Sequence, residues 1–242
     1  MIVDGQSGSD ICDARMAIGP VTLMGGAGND SLTGGSGDDL LLGAAGRDVL
    51  DGSLGNDRIK GQGASGDLLT GGPGKDTMDG GAGTDRVVED FPQSRNIALN
   101  GDQLIVDGEV DELSSIEQAN LDGGELGVTI DTRSFAGPVT LYGGAGADRL
   151  FSGSGNDILF GLAGDDILDS GDGNDWLLGS SGRDVLRAGA GDDNLRGQGS
   201  SGDRLIGGLG LDRLDGGAGS DIVITDGLDT VIQDVLDTLI SS

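Results

Sequence analysis

Sixteen aspartates recur at a single phase of a glycine-rich repeat, and they are the residues of this chain best placed to do chemistry. They are Asp30, Asp39, Asp48, Asp57, Asp67, Asp76 and Asp85, then Asp148, Asp157, Asp166, Asp175, Asp184, Asp193, Asp203, Asp212 and Asp221, with Asp10 in a fainter copy. Each unit reads G-G-x-G-x-D-x-U-x, where U is Leu, Ile, Val or Met in all sixteen. Turns favour Asp and Gly everywhere, but Asn or Ser would serve a turn equally well, so an unvarying carboxylate needs a further reason. A short carboxylate beside turn carbonyls is the ligand chemistry of a hard cation with roughly six to eight oxygens. Calcium suits such a cage, whereas magnesium demands a smaller octahedron with retained water.

Composition points the same way and removes other classes. Of 42 acidic residues all but five are Asp, against 14 basic residues, for a net charge of −28. Glu would suit helices better, so the Asp bias says that a carboxylate is wanted close to the backbone. With no His and a single Cys, Cys12, there is no His/Cys zinc site, internal disulfide or catalytic triad. Six aromatics and this charge argue against nucleic acid and anionic membrane surfaces as partners. No apolar run approaches the ~18 residues of a membrane span, and no signal-peptide pattern opens the chain.

The elements that must position the aspartates follow from the period. Units run from Gly25 to Val88 and again from Gly143 to Ile224, seven and then nine of them; all have nine residues except Gly61–Thr70 and Gly197–Ile206, which have ten. The x-U-x end has one inward apolar residue between outward ones, a three-residue strand. The G-G-x-G-x-D start is a tight turn whose glycines allow close backbone approach. Two units make an 18-residue coil, and about thirteen coils at ~4.8 Å each would give a rod roughly 60 Å long. Stacking sets each Asp over the one two units on. One edge then carries Asp30, Asp48, Asp67 and Asp85, and the other Asp39, Asp57 and Asp76. In the second array Asp148, Asp166, Asp184, Asp203 and Asp221 oppose Asp157, Asp175, Asp193 and Asp212. Like charges one coil apart repel unless a cation lies between them.

The GGxGxDxUx repeat resembles that of the RTX (repeats-in-toxin, haemolysin-type) calcium-binding proteins, a motif the sequence patterns of repeat proteins tie to calcium. The resemblance implies an all-β, right-handed parallel β-roll or β-solenoid. It implies calcium between turns one coil apart, held by the sixth-position Asp and main-chain carbonyls, and it carries that role onto the sixteen aspartates and Asp10. It also implies an extracellular protein, secreted or on the cell surface, exported by type I machinery and folded by calcium outside the cell. With units at array ends lacking a neighbour, up to about twelve ions are expected.

Departures from the pattern carry expectations of their own. Ser65 and Ser201 replace the fourth-position Gly beside Asp67 and Asp203, so those two sites are expected to be distorted or empty. Ser152, Ser170 and Ala188 at position one are expected to matter little, and Arg47, Lys75 and Arg183 at position five to tune affinity. The faint unit Gly5–Asp13 has a counterpart, Gly123–Asp131, with Val128 where Asp should stand.

Five segments result: 1–24, an N-terminal coil with one degenerate repeat; 25–88, the first array; 89–142, a β-solenoid spacer without calcium; 143–224, the second array; and 225–242. In the last, Leu228, Val231, Ile232, Val235, Leu236, Leu239 and Ile240 follow a 3-4 spacing that predicts a short amphipathic helix capping the solenoid. Cys12 falls at an inward core position and Trp176 at an outward one. No row of outward aromatics, and no flat Thr array, is visible in the repeat. The carboxylates are committed to the ladders, leaving no acid/base pair or nucleophile for an enzyme. The expected function is a non-enzymatic calcium-binding β-roll, a structural and secretion-linked module of an extracellular protein. The alternative is an accessory carbohydrate- or surface-binding, adhesin-like module, whose protein or polysaccharide partner the residues do not name.

Overall fold

The computed structural model describes every residue except 92, 94, 95, 234–236 and 242. Among the described residues there is no α-helix, and the chain is an all-β parallel solenoid that falls into two compact units. Unit 1 comprises Met1–Glu89 and Asp102–Asn120; unit 2 comprises Asp90–Gly101 and Leu121–Ser242.

In unit 1 one sheet runs through Ile2–Asp4, Thr22–Ala27, Leu40–Ala45, Arg58–Gln62, Thr77–Gly81 and Glu109–Ser114. The facing sheet runs through Ile11–Asp13, Ser31–Thr33, Val49–Asp51, Leu68–Thr70 and Arg86–Asp90. Neighbours pair in parallel one coil apart, as Leu32 with Leu50 and Leu41 with Ile59. The extra residue of the ten-residue unit shifts Leu50 onto Leu69 without breaking the pairing. It is taken up at Gln62 and Gly63, both at positive φ (67° and 56°). Residues 102–114 depart from the parallel pattern: Gln103–Val106 and Glu109–Ser114 form an antiparallel hairpin whose second strand then pairs in parallel with Thr77–Gly81.

Unit 2 repeats the plan. One sheet orders Asn96–Asn100, Thr129–Asp131, Arg149–Phe151, Ile167–Asp172, Val185–Ala190, Arg204–Leu209, Ile222–Thr225 and Thr238–Ser241. The other orders Val139–Ala145, Ile158–Ala163, Trp176–Ser181, Asn194–Arg196, Arg213–Asp215 and Thr230–Ile232.

The core is a single file of eighth-position side chains. Leu32, Leu41, Leu50, Ile59, Leu69 and Met78 in unit 1, and Leu150 through Leu214 at the same phase in unit 2, are completely buried. Each contributes ~1.5–3 kcal/mol of apolar burial. Glycine at position four is imposed by stacking: at Gly46 φ is +135°, and an added Cβ would lie 1.8 Å from the Gly28 carbonyl oxygen of the coil before. Cys12 stands in the same file opposite Leu32, half-buried because its coil is the first, and burial pushes its thiol pKa up.

The tail differs from the expected helix. Thr230–Ile232 and Thr238–Ser241 are strands, paired in parallel with Arg213–Asp215 and Ile222–Thr225. Val235 and Leu236 of the helical pattern lie outside the described residues. The physical reason is the open sheet edge: its unpaired backbone groups offer a β-branched Thr-Val-Ile run more hydrogen bonds than an isolated short helix can. Val231 opposite Leu214 and Leu239 opposite Val223 make the segment a further coil.

Candidate cation ladders

The turn geometry brings the sixth-position aspartates into four ladders, with Asp10 as an added first rung. The N–H of Asp30 donates to Asp48 Oδ1 (2.9 Å), Asp48 to Asp67 (2.8 Å) and Asp67 to Asp85 (2.7 Å). Asp10 joins by donating to Asp30 (2.8 Å). Asp39, Asp57 and Asp76 form the opposite ladder. In unit 2 the ladders are Asp148, Asp166, Asp184, Asp203, Asp221 and Asp157, Asp175, Asp193, Asp212. The rungs at Asp67 and Asp203 are as regular as the rest, because the extra residue is absorbed elsewhere in the turn.

An accounting of one rung shows what is left over. The Asp48 N–H is given to Asp67, its Oδ1 takes the Asp30 N–H, and its carbonyl takes the Leu68 N–H. Its Oδ2 is buried and has no hydrogen-bond partner. The same oxygen is orphaned at Asp10, Asp30, Asp57, Asp67, Asp76 and Asp85, and at Asp148, Asp166, Asp184, Asp193, Asp203 and Asp212. Asp39 is an exception, since its Oδ2 accepts the Gly35 N–H at 2.7 Å. A buried, unpaired carboxylate oxygen is costly, and a row of them calls for a charge partner.

All these orphans except Asp193, whose unit opens with Ala188, point at the glycine that opens their own unit. At Gly5, Gly43, Gly52, Gly61, Gly80, Gly143, Gly161 and Gly197 the next coil brings a carbonyl to the same point. An ideal Cβ on Gly43 would lie 2.4 Å from Asp48 Oδ2 and 2.9 Å from the Gly61 carbonyl oxygen. On Gly52 the neighbours are Asp57 Oδ2 (2.4 Å) and the Gly71 carbonyl (2.8 Å), and on Gly161 Asp166 Oδ2 (2.4 Å) and the Gly179 carbonyl (2.9 Å). Converging oxygens in a cradle without carbon fit a hard cation. Among the described residues no three acidic side chains converge on one point, so carbonyls must complete any ligand set. A bound calcium ion would supply the positive charge that the paired carboxylates lack.

The electrostatics agree. Burial first, and neighbouring carboxylates after it, push Asp57, Asp67 and Asp212 up to about 6 and Asp76, Asp166, Asp193 and Asp203 up to about 7. A groove of about 660 Å³ in unit 2 opens along Asp166, Asp184 and Asp203, with Arg183 and Arg204 on its wall.

Several features escape a reading of the repeat. Position five builds a second, exposed ladder: Asn29 Oδ1 accepts the Arg47 N–H, Asn56 that of Lys75, and Asp165 that of Arg183. Ser152 and Ser170 place side chains in the space that glycine leaves open, donating to the carbonyls of Ser170 and Ala188 at 3.0 and 3.2 Å. Position one therefore bears on its rung, contrary to the expectation that it matters little. Four acids outside any G-G-x-G sequence occupy the ladder position: Asp111 Oδ1 and Glu117 Oε2 accept the N–H groups of Asp76 and Asp85, and Asp229 and Asp237 those of Asp212 and Asp221. The only sequence signal is the D-x-U that remains at Asp111, Asp229 and Asp237 when the glycines are gone; at Glu117 it is reduced to an acid two residues before Ala119. Glu89, buried and pushed up to about 8 chiefly by desolvation, accepts from the N–H of Gly71.

An outward aromatic group is also present in unit 2. Tyr142 and Phe160, paired in register, stack at 5.0 Å with 13° between rings, and Trp176 lies on the next strand opposite Ile158 with Arg196 over its ring at 5.7 Å. The sequence hid this group because Tyr142 precedes the first unit of its array and Trp176 occupies a different position of its unit.

The model of the RTX calcium-binding nonapeptide repeat matches residues 22–50, 42–65, 51–87, 140–168, 169–201 and 198–232, well over half of the chain. No curated protein matches the chain significantly. Repeat phase, parallel coils and family match coincide over the same residues, and the chain belongs to the RTX calcium-binding nonapeptide repeat family.

Proposed function

We propose that the chain is a non-enzymatic β-roll whose carboxylate ladders take up calcium between consecutive coils, and that ion binding drives its folding. The observation that carries this reading is the row of buried, partnerless Oδ2 atoms, of which those of Asp10, Asp48, Asp57, Asp67, Asp85, Asp148, Asp166 and Asp203 face a main-chain carbonyl across a glycine cradle. With a net charge of −28 the ladders oppose a one-residue-wide core, so binding free energy becomes folding free energy. Asp10, the sixteen repeat aspartates and the cradle carbonyls are the proposed ligands. The rungs of Asp157, Asp175 and Asp193 open on Ser152, Ser170 and Ala188 instead of glycine and are the weakest candidates. Such a chain stays unfolded where calcium is scarce and locks where it is millimolar, which suits a structural module of a secreted or surface protein passed outward by type I export.

Far-ultraviolet circular dichroism of metal-free protein, titrated with calcium and in parallel with magnesium, tests the reading. A cooperative coil-to-β transition with calcium, reversed by chelator, is expected. A spectrum already β-rich in chelator and indifferent to calcium overturns it.

A second reading, an accessory carbohydrate-binding surface, is favoured by Tyr142, Phe160 and Trp176 on adjoining strands of one face, since aromatic rings offer flat apolar area with polar neighbours such as Asn194. Quenching or shift of the lone Trp176 emission by oligosaccharides, lost in Tyr142→Ala, supports it; emission unchanged by any sugar removes it.

A further inference from the structure

We infer that the cation ladder of unit 1 runs one coil beyond its last glycine-rich repeat, with a site formed by Asp85, Glu117 and the Ser115 carbonyl. This rests on the calcium reading above and adds ligands from a segment that the repeat pattern leaves out, since the family match ends at residue 87 and resumes at 140.

Residues 111–119 keep the logic of a rung without its sequence. Asp85 donates its N–H to Glu117 Oε2 at 2.9 Å, as Asp67 donates to Asp85 Oδ1 at 2.7 Å. The Asp85 carbonyl accepts from Glu117 and Gln118 (3.1 and 3.0 Å), as the Asp67 carbonyl accepts from Arg86. Two residues on, Ala119 is fully buried, as Val87 is in the coil before. On the opposite edge Asp76 donates to Asp111 Oδ1 at 2.9 Å, and Leu113 follows in register with Met78.

The cradle is present as well. Asp85 is fully buried, and its Oδ2 has no hydrogen-bond partner. A Cβ on Gly80 would lie 2.7 Å from that Oδ2 and 2.2 Å from the Ser115 carbonyl oxygen. At Gly61, one coil earlier, the corresponding atoms are Asp67 Oδ2 (2.3 Å) and the Gly80 carbonyl (2.6 Å). Ser115 thus supplies the carbonyl that a position-one glycine supplies elsewhere, and its φ of +52° is a glycine-like conformation that a serine adopts only at a cost. The other way to treat this position is seen at Val128 in unit 2. There a methyl group lies 2.4 Å from the Gly123 Cβ point, opposite the Gly143 carbonyl at 3.0 Å. A coil kept for packing alone is filled with hydrocarbon; the coil after Asp85 retains a carboxylate and leaves the cradle open.

Native mass spectrometry of the full chain in calcium, comparing wild type with Glu117→Gln, reads the site directly. Gln keeps the acceptor for the Asp85 N–H and removes the charge. One calcium fewer than wild type is expected, while Asp67→Asn serves as the control that must also lose calcium. An unchanged count in Glu117→Gln, with Asp67→Asn reduced, overturns the inference and leaves the calcium reading standing. A wild-type chain that holds no calcium overturns both. Because a variant can fail to fold, the wild-type protein is also crystallised with lanthanum. An anomalous peak between Asp85 and Glu117 is expected, and its absence alongside peaks at the Asp48–Asp67 rung overturns the inference.

Discussion

At the scale of single residues, the glycine that opens a unit and the Asp five or six places on behave as one device. Glycine is needed there because the Oδ2 of its own unit and a carbonyl of the next coil occupy the space a side chain would take. Gly43→Ala puts a methyl 2.4 Å from Asp48 Oδ2 and 2.9 Å from the Gly61 carbonyl oxygen. Overpacking of this kind costs ~1–3 kcal/mol; because several ions bind per folding event, the calcium concentration for half-folding should rise by less than about tenfold. Gly19→Ala, with nothing within 4 Å of the added carbon, should leave that midpoint unchanged in the same titration. The phase of the repeat made the aspartates and glycines legible in the sequence. It did not make Ser152 and Ser170 legible as side chains set into the cradle, since only the stacked coil shows what position one faces.

At the scale of the turn-and-strand element, protons and cations compete for the same oxygens. An aspartate in an unfolded chain titrates near ~3.9, whereas folded Asp57, Asp67 and Asp212 titrate at about 6 and Asp76, Asp166, Asp193 and Asp203 at about 7. A raised folded pKa means that the folded chain binds more protons, so this stability is fully present below ~4 and is lost as pH rises through 6 to 7. Metal-free protein should therefore show more β-signal at pH 5 than at pH 8 in chelator. Circular dichroism in chelator that is flat across this range, or rises with pH, would remove the burial argument. The tail shows where element-level reading went astray: a 3-4 apolar spacing describes a helix, yet Val231 and Leu239 also meet the spacing of one more coil, and an open sheet edge decides between them.

At the scale of the molecule, each unit is a stack in which a coil touches only its neighbours, so a substitution in mid-stack should disturb more than one at an end. Leu50→Ala empties a fully buried place between two coils and should cost ~2–5 kcal/mol. Cys12→Ala, in the half-buried first coil, should cost under ~1 kcal/mol. Denaturant unfolding in saturating calcium measures both, and equal losses would contradict nearest-neighbour stacking.

The sequence by itself determined the parallel coil, its inward file of Leu, Ile and Val, and which aspartates share an edge. A strict period leaves the backbone one way to bury every eighth-position side chain, and sixteen repetitions make that choice unmistakable. Only the tertiary structure decided what happens where the period lapses. Asp111, Glu117, Asp229 and Asp237 become rungs through hydrogen bonds to residues 16 to 35 positions away. Tyr142, Phe160 and Trp176 become neighbours only when strands 16 to 18 residues apart are laid side by side. Local spacing carries no record of such contacts, because they are made by stacking and not by the chain's own turn.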